Sequence, residues 1–342
     1  VAQLISKPLN LVFLGCGFAT RRHSKTLARF KEVQRYYASR DKNKAAEYNL
    51  RFKGRGYFDS YDAAINASDI DVVLVATPPV SHLELTLKAL RAGKHVIVEK
   101  PPFLKAVDFA AIRKAQQETG RRVFVAENYF YKPLAYQLRK LIKSEVIGEP
   151  LFVHVNALKE QPVKDWRGET NLSGGGALFE GGIHWINFIA NFGLTVKTVR
   201  GLRPGSRAGM ERSILVNAEY AEGPVGTLYY SWETPSLFKG LRLSKIYGRE
   251  GSITFESNGL FIIVRGKEKR LIFPGLKDIA GFKAMFVDFI SSIRDGIDPQ
   301  FNLDLAERDL QLIENIYESL KDSLHGERSR TMSHPSTTLR MK

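Results

Sequence analysis

Leu9-Asn10-Leu11-Val12-Phe13-Leu14 runs directly into Gly15-Cys16-Gly17-Phe18-Ala19-Thr20, and a segment of helical character, Ser24 to Phe30, follows. A short apolar run of this kind reads as a strand buried in a parallel sheet. Two glycines one residue apart let the chain turn tightly and bring its backbone close to a ligand. The helix behind them aims amide N–H groups and the positive end of its dipole at the turn. Strand, glycine turn and helix in that order form the setting in which glycines bind the pyrophosphate of a dinucleotide. Thr20 stands where the G-x-G-x-x-G/A pattern has its third small residue, so the motif is imperfect and the rest of the chain must support it.

The second strand, Glu32 to Ala38, ends in Ser39-Arg40-Asp41, with Lys44 close behind. An acid about 20 residues beyond the glycines binds the ribose 2′-hydroxyl of NAD. Ser39 offers a hydroxyl and Arg40 a guanidinium suited to a 2′-phosphate, which tilts the choice towards NADP. Asp41 keeps NAD open, and Arg40 and Lys44 also read as the start of an exposed helix. Next come a helix (Tyr61 to Ala67), a strand (Asp71 to Ala76) ending in Thr77-Pro78-Pro79-Val80-Ser81-His82, and a helix (Leu83 to Ala92) stopped by Gly93. The strand Val96-Ile97-Val98 then runs into Glu99-Lys100-Pro101-Pro102. A helix (Ala106 to Thr119), Gly120 and a strand (Val123 to Ala126) complete the alternation. Strict β-α order implies right-handed crossovers and a doubly wound parallel sheet over residues 1–127. Its strands deliver Glu99 and Lys100 to the rim where open α/β sheets bind ligands. Lysine is the cation most readily turned into an acid/base group by desolvation. Taken alone, Glu-Lys-Pro reads more often as a solvated strand end followed by a turn than as a site.

From Leu151 the rhythm changes. Leu151 to Ala157, Val196 to Leu202, Ser213 to Ala221, Pro224 to Trp232, Leu241 to Gly248 and Leu260 to Arg265 alternate in strand fashion, with turn residues between several of them. Strands in series without helices imply a large open, mainly antiparallel sheet and an α+β domain over residues 128–325. Such a sheet often covers one face with helices and leaves the other for a second copy. Ile279 to Arg294 and Leu303 to Leu324 read as closing helices, and residues 326–342 as a tail without apolar period. The densest chemistry here is Asp165-Trp166-Arg167 and then Gly174-Gly175-Gly176 leading through Glu180-Gly181-Gly182 to His184 on an apolar helix ending near Asn191. Glycine inside a helix costs about 1 kcal/mol relative to alanine, so a close approach is expected there. Glu180 and His184, four apart, share a helix face. A histidine there can pass protons near neutral pH, with the carboxylate orienting it or holding a substrate. A surface pair is the plainer reading, and a metal half-site would need a third ligand that no His/Cys/Glu pattern supplies.

At 342 residues two domains are expected, and ordinary hydrophobic and charged fractions fit a globular chain. Lys and Arg exceed Asp and Glu by 51 − 36 = 15. That surplus suits an acidic ligand or phosphorylated cofactor, while the scattered basic residues and missing zinc-finger or basic-helix pattern argue against nucleic acid. No apolar run approaches the ~20 residues of a membrane span, and no secretory signal is visible. A single cysteine, Cys16, leaves no internal disulfide and fits a cytoplasmic setting.

Together these motifs resemble the Gfo/Idh/MocA oxidoreductases (glucose–fructose oxidoreductase, inositol dehydrogenase, rhizopine catabolism). The carriers are Gly15-x-Gly17, Ala76-Thr77-Pro78-Pro79 with His82, Ala92-Gly93-Lys94-His95-Val96 into Glu99-Lys100-Pro101, Glu127-Asn128, and Gly174-Gly175-Gly176 through Glu180 to His184. The resemblance implies NAD(P)-dependent oxidation or reduction of sugars, keto-sugars or cyclitols at CH–OH carbons by a homodimer or homotetramer joined through the C-terminal sheet. It implies Lys100 as the central acid/base group, His184 as a second, and Glu180 where the family has aspartate. The cofactor residues it implies are Gly15, Gly17, Phe18, Ala19, Ser39, Arg40, Lys44, Thr77, Pro78, His82, Glu99, Lys100 and Asn128. Tyr129, Trp166, Arg167, Glu180 and His184 would meet the substrate beside Lys100, without metal. Two other readings of the same motifs are a nicotinamide-dependent glycoside hydrolase and a non-catalytic NADP-binding sensor.

Overall fold

The computed structural model describes residues 7–162, 174–205, 209–235 and 240–331, the last ten of these by their backbone alone. Val72-Val73-Leu74-Val75 are all buried, as a strand covered on both faces must be. This strand, β4 (Val72–Val75), lies near the middle of a six-stranded sheet with β1 (Leu9–Leu14), β2 (Val33–Ala38), β3 (Gly56–Phe58), β5 (His95–Glu99) and β6 (Val123–Ala126). The order is β3-β2-β1-β4-β5-β6, every pair parallel. Strand order reverses between β1 and β4, so the crevice at their carboxyl ends is the expected ligand position. The crossover helices are α1 (Phe18–Leu27), α2 (Lys42–Arg51), α3 (Tyr61–Asn66), α4 (His82–Arg91) and α5 (Asp108–Thr119). Three-residue β3 is too short to show alternation in the sequence. The sequence pattern starts the first helix at Ser24, whereas α1 begins at Phe18, directly on the glycine turn.

A helix the sequence pattern did not reveal, α6 (Pro133–Lys143), leads into the second sheet. Its eight strands are β7 (Pro150–Leu158), β8 (Val196–Leu202), β9 (Ser213–Tyr220), β10 (Val225–Ser231), β11 (Leu243–Gly248), β12 (Gly251–Glu256), β13 (Ile262–Arg265) and β14 (Lys269–Ile272). They lie in the order β14-β13-β12-β11-β7-β10-β9-β8. Only β7 and β10 run parallel, so the sheet is mainly antiparallel as expected. β12 was hidden because Arg249-Glu250 is only a hairpin turn, and β14 because Lys269 and Arg270 face solvent.

The inner face buries Val153, Val155, Ala157, Val216, Leu228 and Ile246 beneath α7 (Ile183–Asn191) and α9 (Leu303–Thr331). Gly201 gives α9 its seat, since a Cβ there would lie 2.8 Å from Ile316 Cγ2. The backbone of α9 continues five residues past Gly326, into the stretch expected to be a tail without apolar period; residues 332–342 lie outside the described residues. α8 (Phe282–Asp295) departs from the domain division suggested by the sequence. It packs on the first sheet, with Phe286 5.2 Å from His23 and Phe289 5.2 Å from Phe124, ring centre to ring centre. Each such buried ring contributes about 1.5–3 kcal/mol. No helix among the described residues is long and apolar enough to cross a membrane.

Candidate functional site

The glycine turn is shaped from beneath and open above. Gly15 has φ +99°, and a Cβ there would meet the Ala76 carbonyl oxygen at 2.8 Å. A Cβ on Gly17 would meet nothing within 4 Å, so the space a dinucleotide needs is present. The first turn of α1 contains no acid, and no side chain caps it, which leaves its positive end suited to an anion. Thr20 explains the departure from the glycine pattern: its buried hydroxyl donates to the Gly15 carbonyl at 2.6 Å and ties helix to turn. Phe18 stands exposed under Arg21, and Ala19 follows in the same turn. Burial pushes the Cys16 thiol up to about 12, making it a packing group.

At the end of β2 the side chains divide their tasks. Ser39 is buried and its hydroxyl accepts from Asp41 N at 3.2 Å. The Asp41 carboxylate caps α2, accepting from Asn43 N at 3.0 Å and Lys44 N at 3.3 Å. Arg40 and Lys44 remain exposed beside it.

The loops after β4 and β5 are held together by His82. Its Nδ1 lies 2.9 Å from the Pro101 carbonyl and its Nε2 2.8 Å from the Thr77 carbonyl. The ring is buried, which lowers its pKa, so His82 reaches the crevice only through the two backbone segments it joins. Ser81 bonds Thr77 Oγ1 at 2.7 Å and the Pro78 carbonyl at 2.9 Å. The Lys100–Pro101 peptide is cis. Lys100 Nζ donates to the Glu180 carbonyl oxygen at 2.7 Å and lies 3.8 Å from Glu180 Oε1. Glu99 bonds the buried ring of His23, from α1, and accepts from Lys100 N at 3.2 Å. Burial pushes the Glu99 carboxyl up, but His23, Lys100 and His184 together outweigh it and hold the group below its usual range.

His184 meets this rim from the second domain. Its Nδ1 lies 2.6 Å from Glu127 Oε1, and its ring stacks on Tyr129 at 4.5 Å. Burial lowers its pKa first of all, with Lys100 adding to the effect and Glu127 opposing it. A neutral ring therefore carries its proton on Nδ1 towards Glu127 and presents Nε2 as an acceptor. Glu127 Oε1 also accepts from Tyr129 N at 2.9 Å. Asn128 is turned away from this group, its amide donating to the Ala280 carbonyl at 2.6 Å.

The expected Glu180–His184 helix pair is replaced by two separate partnerships, Glu180 with Lys100 and Glu127 with His184. Leu178–Gly182 form a π-helical turn before α7 starts at Ile183, and such turns are frequent at functional sites. Gly176 permits the entry, since a Cβ there would overlap the Glu211 carboxylate, which binds Leu178 N at 3.0 Å and the Tyr317 hydroxyl at 2.7 Å. Gly181 gives Tyr230 room, its Cβ falling 2.4 Å from the hydroxyl. Trp166 and Arg167 lie outside the described residues. Among the described residues no His, Cys, Asp and Glu group is arranged to hold a metal. Glu127 and His23 were given no role from sequence. The signal for Glu127 was there, a carboxylate closing β6 as Glu99 closes β5, whereas nothing local marks His23.

Known proteins share this architecture and much of this sequence. Residues 9–127 match the model of an oxidoreductase family with an NAD-binding Rossmann fold, and residues 136–254 match a GFO/IDH/MocA C-terminal domain. A dTDP-3,4-didehydro-2,6-dideoxy-alpha-D-glucose 3-reductase of Saccharopolyspora spinosa is 33% identical over 66% of this chain and 69% of its own. Levoglucosan dehydrogenase of Pseudarthrobacter phenanthrenivorans is 25% identical over 90% of this chain and 87% of its own. Among solved structures, a levoglucosan dehydrogenase in complex with NADH and L-sorbose superimposes with a TM-score of 0.82 at 21% identity, covering 92% of this chain and 97% of that one.

Proposed function

The chain belongs to the GFO/IDH/MocA family of oxidoreductases, and from that premise we propose that it transfers hydride between a nicotinamide cofactor and a CH–OH carbon of a carbohydrate or cyclitol. The observation that carries the reading is the meeting of Lys100 Nζ, the Glu180 carboxylate and the Glu127-held ring of His184 at the carboxyl rim of the first sheet. A bound nicotinamide supplies or accepts the hydride. In the reducing direction Lys100 gives a proton from Nζ to the carbonyl oxygen; in the oxidising direction it receives the hydroxyl proton there. His184 Nε2 accepts from the hydroxyl form of the same oxygen or passes the proton outward, with Glu127 holding the ring through Nδ1. Glu180 steadies the Lys100 ammonium and reaches for substrate hydroxyls. Thr77, Pro78 and Glu99 shape the cofactor's side of the crevice, while Asn128 is committed to the Ala280 carbonyl.

NADP is the cofactor this reading favours, because Asp41 is spent on capping α2 while Arg40 and Lys44 stay exposed beside Ser39. Fluorescence titration of cofactor-stripped protein is expected to give tighter binding of NADPH than of NADH. Arg40→Ala should weaken NADPH about tenfold, the loss of a charge-assisted phosphate contact, and leave NADH unchanged. Tighter NADH, or an Arg40→Ala effect equal on both, would assign the ribose contact elsewhere; binding of neither would remove the oxidoreductase reading.

A second copy of the chain is the proposed partner of the outer face of the second sheet. Val225, Phe152 and Tyr247 lie in neighbouring strands in register, all exposed. An apolar row of this kind on an open sheet favours self-association. Light scattering should return a dimer or tetramer mass that Phe152→Asp reduces; a monomer for the unmodified protein contradicts the proposal.

A further inference from the structure

Three cations that the chemistry above does not use stand on the second-domain side of the cleft. Lys132, at the start of α6, is buried with its ammonium 4.3 Å from the centre of the Tyr129 ring and 6.0 Å from that of Trp185. Arg242, just before β11, places its guanidinium 5.4 Å from the same indole. Arg242 is only 7% exposed. Its Nη2 donates to Asn258 Oδ1, while Nε and Nη1 are buried with no partner. Lys159 follows β7 at the same end of the sheet and feels the charges of Glu180, Lys100 and Arg242. Burial holds Lys132 and Lys159 down to about 8, which leaves both mainly protonated at neutral pH.

Among the described residues no carboxylate forms an ion pair with any of the three. Glu256, which acts on Lys132 from further off, is occupied by Asn258 N at 2.9 Å, Asn258 Nδ2 at 2.9 Å and Leu260 N at 3.3 Å. Buried donors without acceptors cost free energy, and a guanidinium without an anion costs more. Tyr129 stacks on His184, so Lys132 stands one ring away from the acid/base pair.

We propose that Arg242, Lys159 and Lys132 form a carboxylate-binding subsite, and that the substrate is an acidic carbohydrate, a sugar or polyol bearing one carboxylate. The proposal rests on the oxidoreductase reading and names the substrate class of that same cleft. A carboxylate offers Arg242 the acceptor that its buried Nε and Nη1 donors lack.

The test is calorimetric titration of the NADPH-loaded protein with a panel of hexuronates and hexonates, their neutral parent hexoses and hexitols, and hexose 6-phosphates. At least one acid is expected to bind about tenfold or more tighter than its neutral parent. Arg242→Gln and, separately, Lys159→Met should each remove that preference without weakening NADPH. Because Arg242 is packed on Trp185, Lys159→Met decides the matter if the other variant fails to fold. Equal binding of acids and parents, no binding by any acid, tighter binding of the phosphates, or a preference that survives Lys159→Met would overturn the subsite. Absence of binding by both NADPH and NADH overturns the oxidoreductase reading instead, so the two failures are distinguishable.

Discussion

Lys100→Met is expected to lower kcat about 10²–10⁴-fold, the range contributed by a positioned proton donor or acceptor. Methionine keeps most of the length of the side chain while deleting the ammonium that reaches the Glu180 carbonyl at 2.7 Å. The glycine turn and the end of β2 are untouched, so NADPH affinity measured by fluorescence should be retained. Single-turnover kinetics separate chemistry from release: the hydride step itself should slow. Turnover near the original rate would take Lys100 out of proton transfer. Loss of NADPH binding together with turnover would make it a cofactor anchor instead.

Glu127→Gln should produce the second-largest effect, although its carboxylate touches only His184 and the Tyr129 amide. Glutamine can still accept from His184 Nδ1, so the ring keeps its orientation while the adjacent negative charge disappears. Burial already lowers the His184 pKa and Glu127 is the main group opposing that shift. Removing the charge therefore lowers the pKa further, and any acid limb of kcat that reports His184 protonation should move to lower pH. A fall in kcat of about tenfold or more is expected, smaller than that for the acid/base group itself. Stability should also drop by about 1–3 kcal/mol, because Glu127 Oε2 is buried without a partner and the amide group replacing it would bring two donors into that space. An unchanged pH profile combined with lower stability would leave Glu127 a purely structural residue.

The first sheet was legible in the sequence because β1, β4, β5 and β6 each carry a short apolar run ended by turn residues, a pattern set by burial on both faces. Lys100 could be singled out for the same reason, since a charged group at the end of an apolar run is conspicuous, and His184 because it stands four residues from Glu180 behind a run of glycines. The link between Glu127 and His184 was not legible, because the two residues stand 57 apart in the chain and meet only once the second domain folds against the rim of the first sheet. Nor was the third sidedness of the cleft: Lys132, Lys159 and Arg242 come from three separate elements, and only the pairing of β11 with β7 brings the last two to one edge. The role of Thr20 likewise depends on a hydrogen bond across five residues, which turns an apparent defect in a glycine motif into a clasp.

The seat of α8 on the first sheet has a consequence for how this molecule can be divided. Phe282 and Phe286 close over His23, whose ring is bonded to Glu99 next to Lys100. Arg122 and Arg113 are joined in turn to Asp298, Asp304 and Glu307. A cut after residue 127 would therefore strip the nucleotide module of part of its own lining and leave Phe124 and the His23–Glu99 pair facing water. The two halves are sequential in the chain but interlocked in space. Recombining domains between relatives at that boundary would carry over a module with an open seam, unless residues 282–307 travelled with it.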